Sequence, residues 1–352
     1  MPDPAEGGKS PAVRPAVWWL RSTAWIFLPV SSRKLLLLAL LALLVFVGLA
    51  GYGDFQDIGG QLGQFPIVYM VAALALAATN YGLRFIRWAY YLRVLKVRVP
   101  LGVSGLVFLS GLAMSITPGK AGELLKSYLL RDRAGVPVST SAPVVIMERV
   151  TDVVSVVLLG LTGLALLPLP VLSVLAGVMA VTGAAMVALT FRKGEHLFDL
   201  PFLRRWGGAL RASYAELRRL MAVRVMVVAL FLGAAAWFSE GLALWIVLHG
   251  LDVDSSLMRT LPIYAAATLV GAVTALPGGL VGTEGSMVAL LQQSGVTRGA
   301  ASAGTLLVRL ATLWFAVAIG LAALACLKKV RPVAVAASPG GEPDSPDLRA
   351  PS

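Results

Sequence analysis

Ser115-Ile116-Thr117-Pro118-Gly119-Lys120-Ala121-Gly122-Glu123 and Leu276-Pro277-Gly278-Gly279-Leu280-Val281-Gly282-Thr283-Glu284 are two proline-glycine breaks in otherwise apolar sequence. Gly82 stands 36 residues before Pro118, and Gly241 stands 36 before Pro277. A long apolar segment follows each break. These segments open at Gly135-Val136 and Gly295-Val296, and each carries an arginine 14 residues after its glycine, Arg149 and Arg309. Duplicated hairpins broken at Pro-Gly point to a membrane transporter of internal repeats, with its site where the broken helices meet. The helix breaks are Pro118 and Gly119 in one repeat, and Pro277, Gly278 and Gly279 in the other.

Composition supports the same medium. With 58% hydrophobic and 14% charged residues in 352, a water-soluble fold would have more apolar side chain than interior to hold it. Eight apolar stretches stand out, at 35–51, 65–83, 101–117, 139–167, 171–191, 225–248, 260–277 and 299–327. A span needs about 20 residues, so the third and seventh, which end at the breaks, are short. The expected fold is an all-α polytopic membrane protein of about six full transmembrane helices plus two re-entrant helical hairpins in an inverted repeat. Residues 1–34 read as a cytoplasmic segment, 35–330 as the transmembrane domain, and 331–352 as a disordered tail. Repeat one covers about 65–167 and repeat two about 225–327. The segment 35–51 reads as a retained first helix, since no small-x-small cleavage site precedes Gly51.

The formal charge of +12 is unevenly placed. Basic residues gather before the first stretch (Arg14, Arg21, Arg33, Lys34), at 84–98 (Arg84, Arg87, Arg93, Lys96, Arg98), at 120–133 (Lys120, Lys126, Arg131, Arg133), at 192–224, and after the last stretch (Lys328, Lys329, Arg331). The segments 51–64, 168–170 and 249–258 have none, and carry Asp54, Asp57, Asp252 and Asp254. By the positive-inside rule the first set is cytoplasmic and the second external. Both termini then lie in the cytoplasm, and the protein is expected in the cytoplasmic membrane. Residues 101–130 leave and return to the cytoplasmic face, with Pro118-Gly119 as tip, whereas 260–293 dips in from outside. Such non-helical backbone is tolerable at membrane depth only if it is buried in protein or lines a wet cavity.

Trp18, Trp19 and Trp25, beside Arg14 and Arg21, form an interfacial anchor. Within the basic segment, Leu203, Trp206, Leu210, Tyr214, Leu217 and Leu220 recur at helical spacing while five arginines fill the other faces. That predicts an amphipathic helix on the inner leaflet, drawn by anionic lipids. Cys326 is the single cysteine, and His196 and His249 lie away from every motif. The sequence therefore suggests no metal site and no cofactor. It contains no nucleotide, zinc-protease or nucleophile-elbow pattern, and nothing points to nucleic acid.

Charges sit where they are expensive. Glu148, Arg149 and Asp152 fall within the fourth stretch, Glu240 within the sixth, Glu123 and Glu284 after the breaks, and Arg309 within the last. At roughly 2.5–3.5 kcal/mol each, seven would cost about 20 kcal/mol if they faced lipid. They must face each other or water. Arg149 and Asp152 are spaced to pair on one helix, with Glu148 on the face of Asp152. A cavity with both signs of charge suits a lipid headgroup: the arginines and the N–H groups at the helix starts after Pro118 and Pro277 can hold phosphate oxygens, the glutamates an amine or sugar hydroxyls, and Lys120 is a further candidate headgroup residue.

The run from Asn80 through Arg87-Trp88, the Ser115–Glu123 break, and Glu148-Arg149-Val150-Thr151-Asp152 resembles the lysylphosphatidylglycerol synthase transmembrane region family. Leu276-Pro277-Gly278-Gly279, Gly282-Thr283-Glu284 and Arg309 carry the resemblance into the second half, and it extends over about 35–327. It implies a flippase-like fold that moves an aminoacylated phospholipid or a related lipid between leaflets. No aminoacyl-transferase domain follows the last stretch, so lipid synthesis is not implied and no enzyme activity is expected. Stand-alone relatives in polyprenyl-linked glycan pathways leave two further readings: a non-catalytic partner of a glycan or aminoacyl-lipid enzyme, and an intramembrane transferase. Expected partners are the lipid substrate, anionic inner-leaflet lipids and a lipid-modifying or glycan-pathway enzyme. A homo-oligomer is compatible with apolar faces that lipid could equally cover.

Overall fold

The computed structural model describes residues 47–48, 51–52, 55–117, 122–165, 167–190 and 207–332. Most of the expected first helix, its tryptophan anchor, the Pro118-Gly119 break with Lys120, and both tails lie outside the described residues. Among those described, the regular elements are helices: α1 (Phe55–Gln64), α2 (Ile67–Val94), α3 (Leu101–Leu112), α4 (Leu125–Ala134), α5 (Val138–Leu161), α6 (Leu169–Thr190), α7 (Gly207–Leu220), α8 (Val223–Gly250), α9 (Leu257–Val273), α10 (Gly282–Gln293), α11 (Arg298–Arg309) and α12 (Phe315–Lys329). A π-helical turn, Leu310–Trp314, joins α11 to α12 without a break. Four helical runs are long and apolar enough to cross a membrane: α2, α6, α8 and the joined α11–α12. At 24 residues α5 has the length, but Glu148, Arg149 and Asp152 interrupt its apolar character. The architecture is that of a helical membrane protein.

The duplication extends to backbone detail. Helices α2 and α8 are each 28 residues long and end in the same Schellman motif. In α2 the amide of Val97 bonds the Leu92 carbonyl at 2.9 Å around a left-handed Lys96; in α8 the amide of Val253 bonds the Leu248 carbonyl at 3.0 Å around Asp252. The hairpin of each half then closes at a left-handed glycine, Gly135 or Gly295. Helix starts differ between the halves. In the first half Pro66, Pro100 and Pro137 precede α2, α3 and α5; in the second Ala222, Ser256 and Thr297 take those places.

Helices α2 and α8 pack against each other. Asn80 Nδ2 donates to the Ala236 carbonyl at 2.8 Å, Arg87 lies beside Gly233, and Phe65 and Tyr69 lie beside Gly250. Numbers therefore rise along one helix as they fall along the other, and the pair is antiparallel. Each hairpin packs into the opposite half: α3 against α12, and α9 against α5. Gly320 makes the first of these contacts possible, because a Cβ there would run into the backbone of Ala113. The hairpin ends, 3-10 turns at Ala113–Ile116 and Pro277–Gly279, touch each other.

Two apolar cores flank this meeting point. One centres on α8, α9 and α10, with Leu244, Tyr264 and Met287; the other lies where α2, α3 and α5 converge, with Trp88, Phe108 and Met147. The basic amphipathic segment corrects an expectation. Helix α7 turns Tyr214, Leu217 and Leu220 onto α5 and the second core rather than toward lipid. A protein face was available for its stripe, while Arg218 and Arg219 remain exposed.

Candidate functional site

Three segments bring seven charged side chains together. Arg84 and Arg87 come from α2, Glu123 and Lys126 from the turn before α4 and its start, and Glu148, Arg149 and Asp152 from α5. Asp152 receives Arg87, Arg149 at 2.8 Å and Arg84 at 3.5 Å. Glu123 lies 3.0 Å from Arg149 and 3.4 Å from Lys126, which also bonds Glu148. The Lys126 ammonium stands 5.1 Å from the ring centre of Trp88, within cation–π range. Six of the seven side chains are at most 6% exposed, whereas Arg149 is 25% exposed. The network thus presents one guanidinium outward.

A smaller constellation occupies the second half. Arg309 Nε bonds the Glu284 carboxylate, and its Nη2 donates to the Gly278 carbonyl at 2.7 Å. Glu240 accepts the Tyr264 hydroxyl at 2.7 Å. The Tyr81 hydroxyl donates at 2.6 Å to the carbonyl of Thr312, within the π turn that follows Arg309. Such turns displace carbonyls from the regular ladder, so an outside donor is a fitting partner.

Between the two constellations lies a cavity of about 280 Å³. Its walls include Arg84, Arg149 and Asp152 from the first cluster, and Glu240, Tyr264 and Arg309 from the second. Ser115 and Thr117 enter from one hairpin end, and Leu276, Gly278 and Gly279 from the other. Apolar walls come from Val153, Val156, Leu269 and Leu313. Polar groups concentrated in an apolar cavity are the usual make-up of a small-molecule site.

Of the eight expected headgroup residues, Arg149, Asp152, Glu240 and Arg309 line the cavity. Glu123, Glu148 and Glu284 do not; all three are buried against the cations they bond. Lys120 lies outside the described residues, as do Pro118 and Gly119. The second break is a 3-10 turn with Gly278 and Gly279 in the left-handed region. One expectation is overturned: Arg84, Arg87 and Lys126, grouped above with the cytoplasmic basic residues, are buried and ion-paired. Carboxylates elsewhere in the chain claim them, which a positive-inside count does not weigh. A signal was present in the sequence. Asn80, Arg84, Arg87 and Tyr91 fall on one face at three- and four-residue spacing, a polar stripe along an apolar helix.

A family model described as the lysylphosphatidylglycerol synthase TM region matches residues 35–320. A UPF0104 membrane protein of Methanothermobacter thermautotrophicus is 23% identical over 323 residues, covering 82% of this chain and 94% of the relative. A second UPF0104 membrane protein of that organism is 24% identical over 288 residues, 73% of this chain and 84% of its own. Glycosyltransferase AglD of Haloferax volcanii is 26% identical over 155 residues, 43% of this chain and 24% of its own length.

Proposed function

Because this chain belongs to the lysylphosphatidylglycerol synthase TM region family, we propose that it moves a phospholipid or related lipid between leaflets, holding the headgroup in the cavity while the acyl chains stay in the bilayer. In this reading the two hairpins re-enter the membrane from opposite faces, and the cavity opens alternately past their ends. The observation that carries it is the meeting of both hairpin ends over a charged cavity whose arginines are bonded to the hairpins' own glutamates. Headgroup solvation is the main barrier to lipid exchange, since a charge at mid-bilayer costs several kcal/mol or more. A polar cavity replaces that solvation.

Arg149 is the phosphate ligand in this scheme, because its fork is the most exposed of the first cluster. Glu123 and Asp152 orient it. Arg309 binds the second hairpin and couples its position to the cavity. The cytoplasmic placement of the basic end is supported by Arg133, whose Nη1 donates to the Val330 carbonyl at 2.7 Å, bringing it beside Lys328, Lys329 and Arg331. The test is exchange of a fluorescent phospholipid in proteoliposomes. Exchange above the empty-vesicle rate, falling in Arg149→Ala and Glu284→Ala, is the expected result; exchange at the empty-vesicle rate in the parent protein rejects the proposal.

A second reading is a membrane component of a glycan-building pathway, with or without transferase activity of its own. It is favoured by the 155-residue likeness to a protein named as a glycosyltransferase. Activity that disappears only when a neighbouring glycan enzyme is deleted would support it over autonomous transport.

A further inference from the structure

Helices α11 and α12 form one continuous run, yet its two parts hold different hairpins. Arg309, the last residue of α11, holds the second hairpin through Glu284 and the Gly278 carbonyl. Further along, Gly320 of α12 lies against the backbone of Leu112 and Ala113, at the end of α3 in the first hairpin. Between the two attachments stands the π-helical turn Leu310–Trp314. The repeat does not require this turn. Counting from the matched arginines Arg149 and Arg309, residues 310–314 correspond to 150–154, which lie inside the regular helix α5. A π turn interrupts the i→i−4 ladder and is a place where a helix can bend.

Side-chain hydroxyls take over part of the ladder here. The Thr312 hydroxyl donates to the Val308 carbonyl at 2.8 Å, and the Thr312 carbonyl accepts the Tyr81 hydroxyl from α2 at 2.6 Å. The Tyr81 ring centre lies 6.0 Å from that of Phe315, the residue that follows the turn. Tyr81 therefore clamps the turn from a neighbouring helix. Tyr81 and Thr312 also line the cavity, as do Arg84, one turn along α2, and Arg309. A phenol has one proton to donate, and a charged phosphate oxygen is a stronger acceptor than a peptide carbonyl. An oxyanion in the cavity thus competes with Thr312 for that proton. Thr312 stands on the wall of a polar cavity of about 280 Å³, which has room for a water to take the released carbonyl.

We propose that Leu310–Trp314 is a joint between the two hairpins, and that Tyr81 is a clamp on it that a ligand releases. A phosphate oxygen in the cavity draws the Tyr81 proton from Thr312 and the turn loosens. Helix α12, with the first hairpin, then bends away from α11, with the second. This role rests on the lipid-binding reading above and adds the route by which occupancy of the cavity reaches the hairpins. The occupant shifts the equilibrium because Tyr81 gains a charged acceptor only in the loosened form. Tyr81 is a positioning residue that acts through the turn.

The test is hydrogen–deuterium exchange of the purified full-length protein in detergent. Dihexanoyl-phosphatidylglycerol is the phosphate probe, at a concentration that saturates its thermal shift, and dihexanoylglycerol, with the same chains and no phosphate, is the control. Amides of 310–317 are expected to exchange about fivefold faster with the phosphate probe, the weight of one net hydrogen bond, while the control leaves them unchanged and α8 does not respond to either. Tyr81→Phe keeps the ring and removes the proton. Its 310–317 amides are expected to exchange faster without any probe, and the probe is expected to add nothing. Deletion of Ala311, which closes the turn into a regular helix, is expected to keep exchange low in both conditions; should that variant not fold, Tyr81→Phe decides. A probe that stabilises the parent protein but leaves 310–317 unchanged overturns the proposal, even where Tyr81→Phe raises exchange, because the bond is then structural only. Tyr81→Phe exchange equal to the parent's also overturns it, as does a response to the probe that survives the deletion. Absence of any thermal shift rejects the lipid-binding reading and the release of the clamp with it. Leaflet exchange at the empty-vesicle rate, beside a probe-dependent rise at 310–317, rejects transport alone.

Discussion

Arg309 bonds the Glu284 carboxylate through Nε and takes the Gly278 carbonyl with Nη2 at 2.7 Å, so one side chain fixes both the end and the second arm of the α9–α10 hairpin. In the first half Arg149 meets Glu123 at 3.0 Å, giving each hairpin a glutamate held by the arginine of the following long helix. The second attachment is the tighter. Its hairpin end also contains Ala275 and Val281 at φ 52° and 71°, conformations that side chains with a Cβ rarely adopt. Such strain persists only where surrounding contacts over-determine it.

Loosening that attachment should expose the hairpin end. Lysine cannot reproduce a two-pronged guanidinium contact, so Arg309→Lys should free the Gly278 carbonyl even if the ion pair with Glu284 survives. In a Cys326→Ser background, which removes the exposed native thiol, a Leu280→Cys probe, at a fully buried position beside the turn, should react several-fold faster with a polar thiol reagent when Arg309→Lys is added. Equal rates would show that the end is held by something else.

Asp152 is the anion on which three arginines converge. Asp152→Asn leaves those guanidiniums facing one another in a buried site, and breaking a buried pair costs about 3–5 kcal/mol. Arg149→Gln should cost less, because its side chain is 25% exposed and water can reach the partners it leaves. Thermal unfolding in detergent should rank the two in that order.

Lys126 and Glu148 form a buried pair inside the second core. Each single change, Lys126→Met or Glu148→Gln, strands a charge, while the double variant removes both. The double should therefore be more stable than the sum of the singles predicts, with a coupling of about 0.5–3 kcal/mol. Additive effects would mean that Glu123 or another neighbour compensates each loss.

The repeat-mates Gly82 and Gly241 should respond oppositely to alanine. A Cβ on Gly82 meets nothing within 4 Å, whereas one on Gly241 would lie 2.6 Å from Leu261 Cδ2. Gly82→Ala should be neutral or stabilising by up to about 1 kcal/mol through helix propensity. Gly241→Ala should destabilise by about 1–3 kcal/mol through overpacking. Unfolding midpoints measured side by side decide it.

Legibility followed the range of the interaction. The second break was readable at Pro277-Gly278-Gly279 because backbone conformation there depends on local residue type, and the Arg149–Asp152 pair because helical spacing brings i and i+3 together. The apolar stretches gave the long helices for the same reason. Contacts across the fold were not readable this way. Arg84, Arg87 and Lys126 look like flanking cytoplasmic charges in the sequence, and apart from Glu123, three residues before Lys126, their carboxylates come with the approach of α5 to α2 and α4. Likewise α7 has the pattern of a lipid-facing helix, and its apolar side is instead covered by α5.

The sequence by itself determined a duplicated, helical, membrane-embedded chain with breaks at fixed intervals and charges that could not face lipid, because periodicity, span length and transfer cost are properties of local sequence. Tertiary structure decided which charges meet. Antiparallel packing of α2 on α8 and the exchange of hairpins between halves bring Arg149, Glu240 and Arg309 to one cavity and put Glu123, Glu148 and Glu284 behind it. Those distances depend on how whole helices stack, which no local pattern encodes.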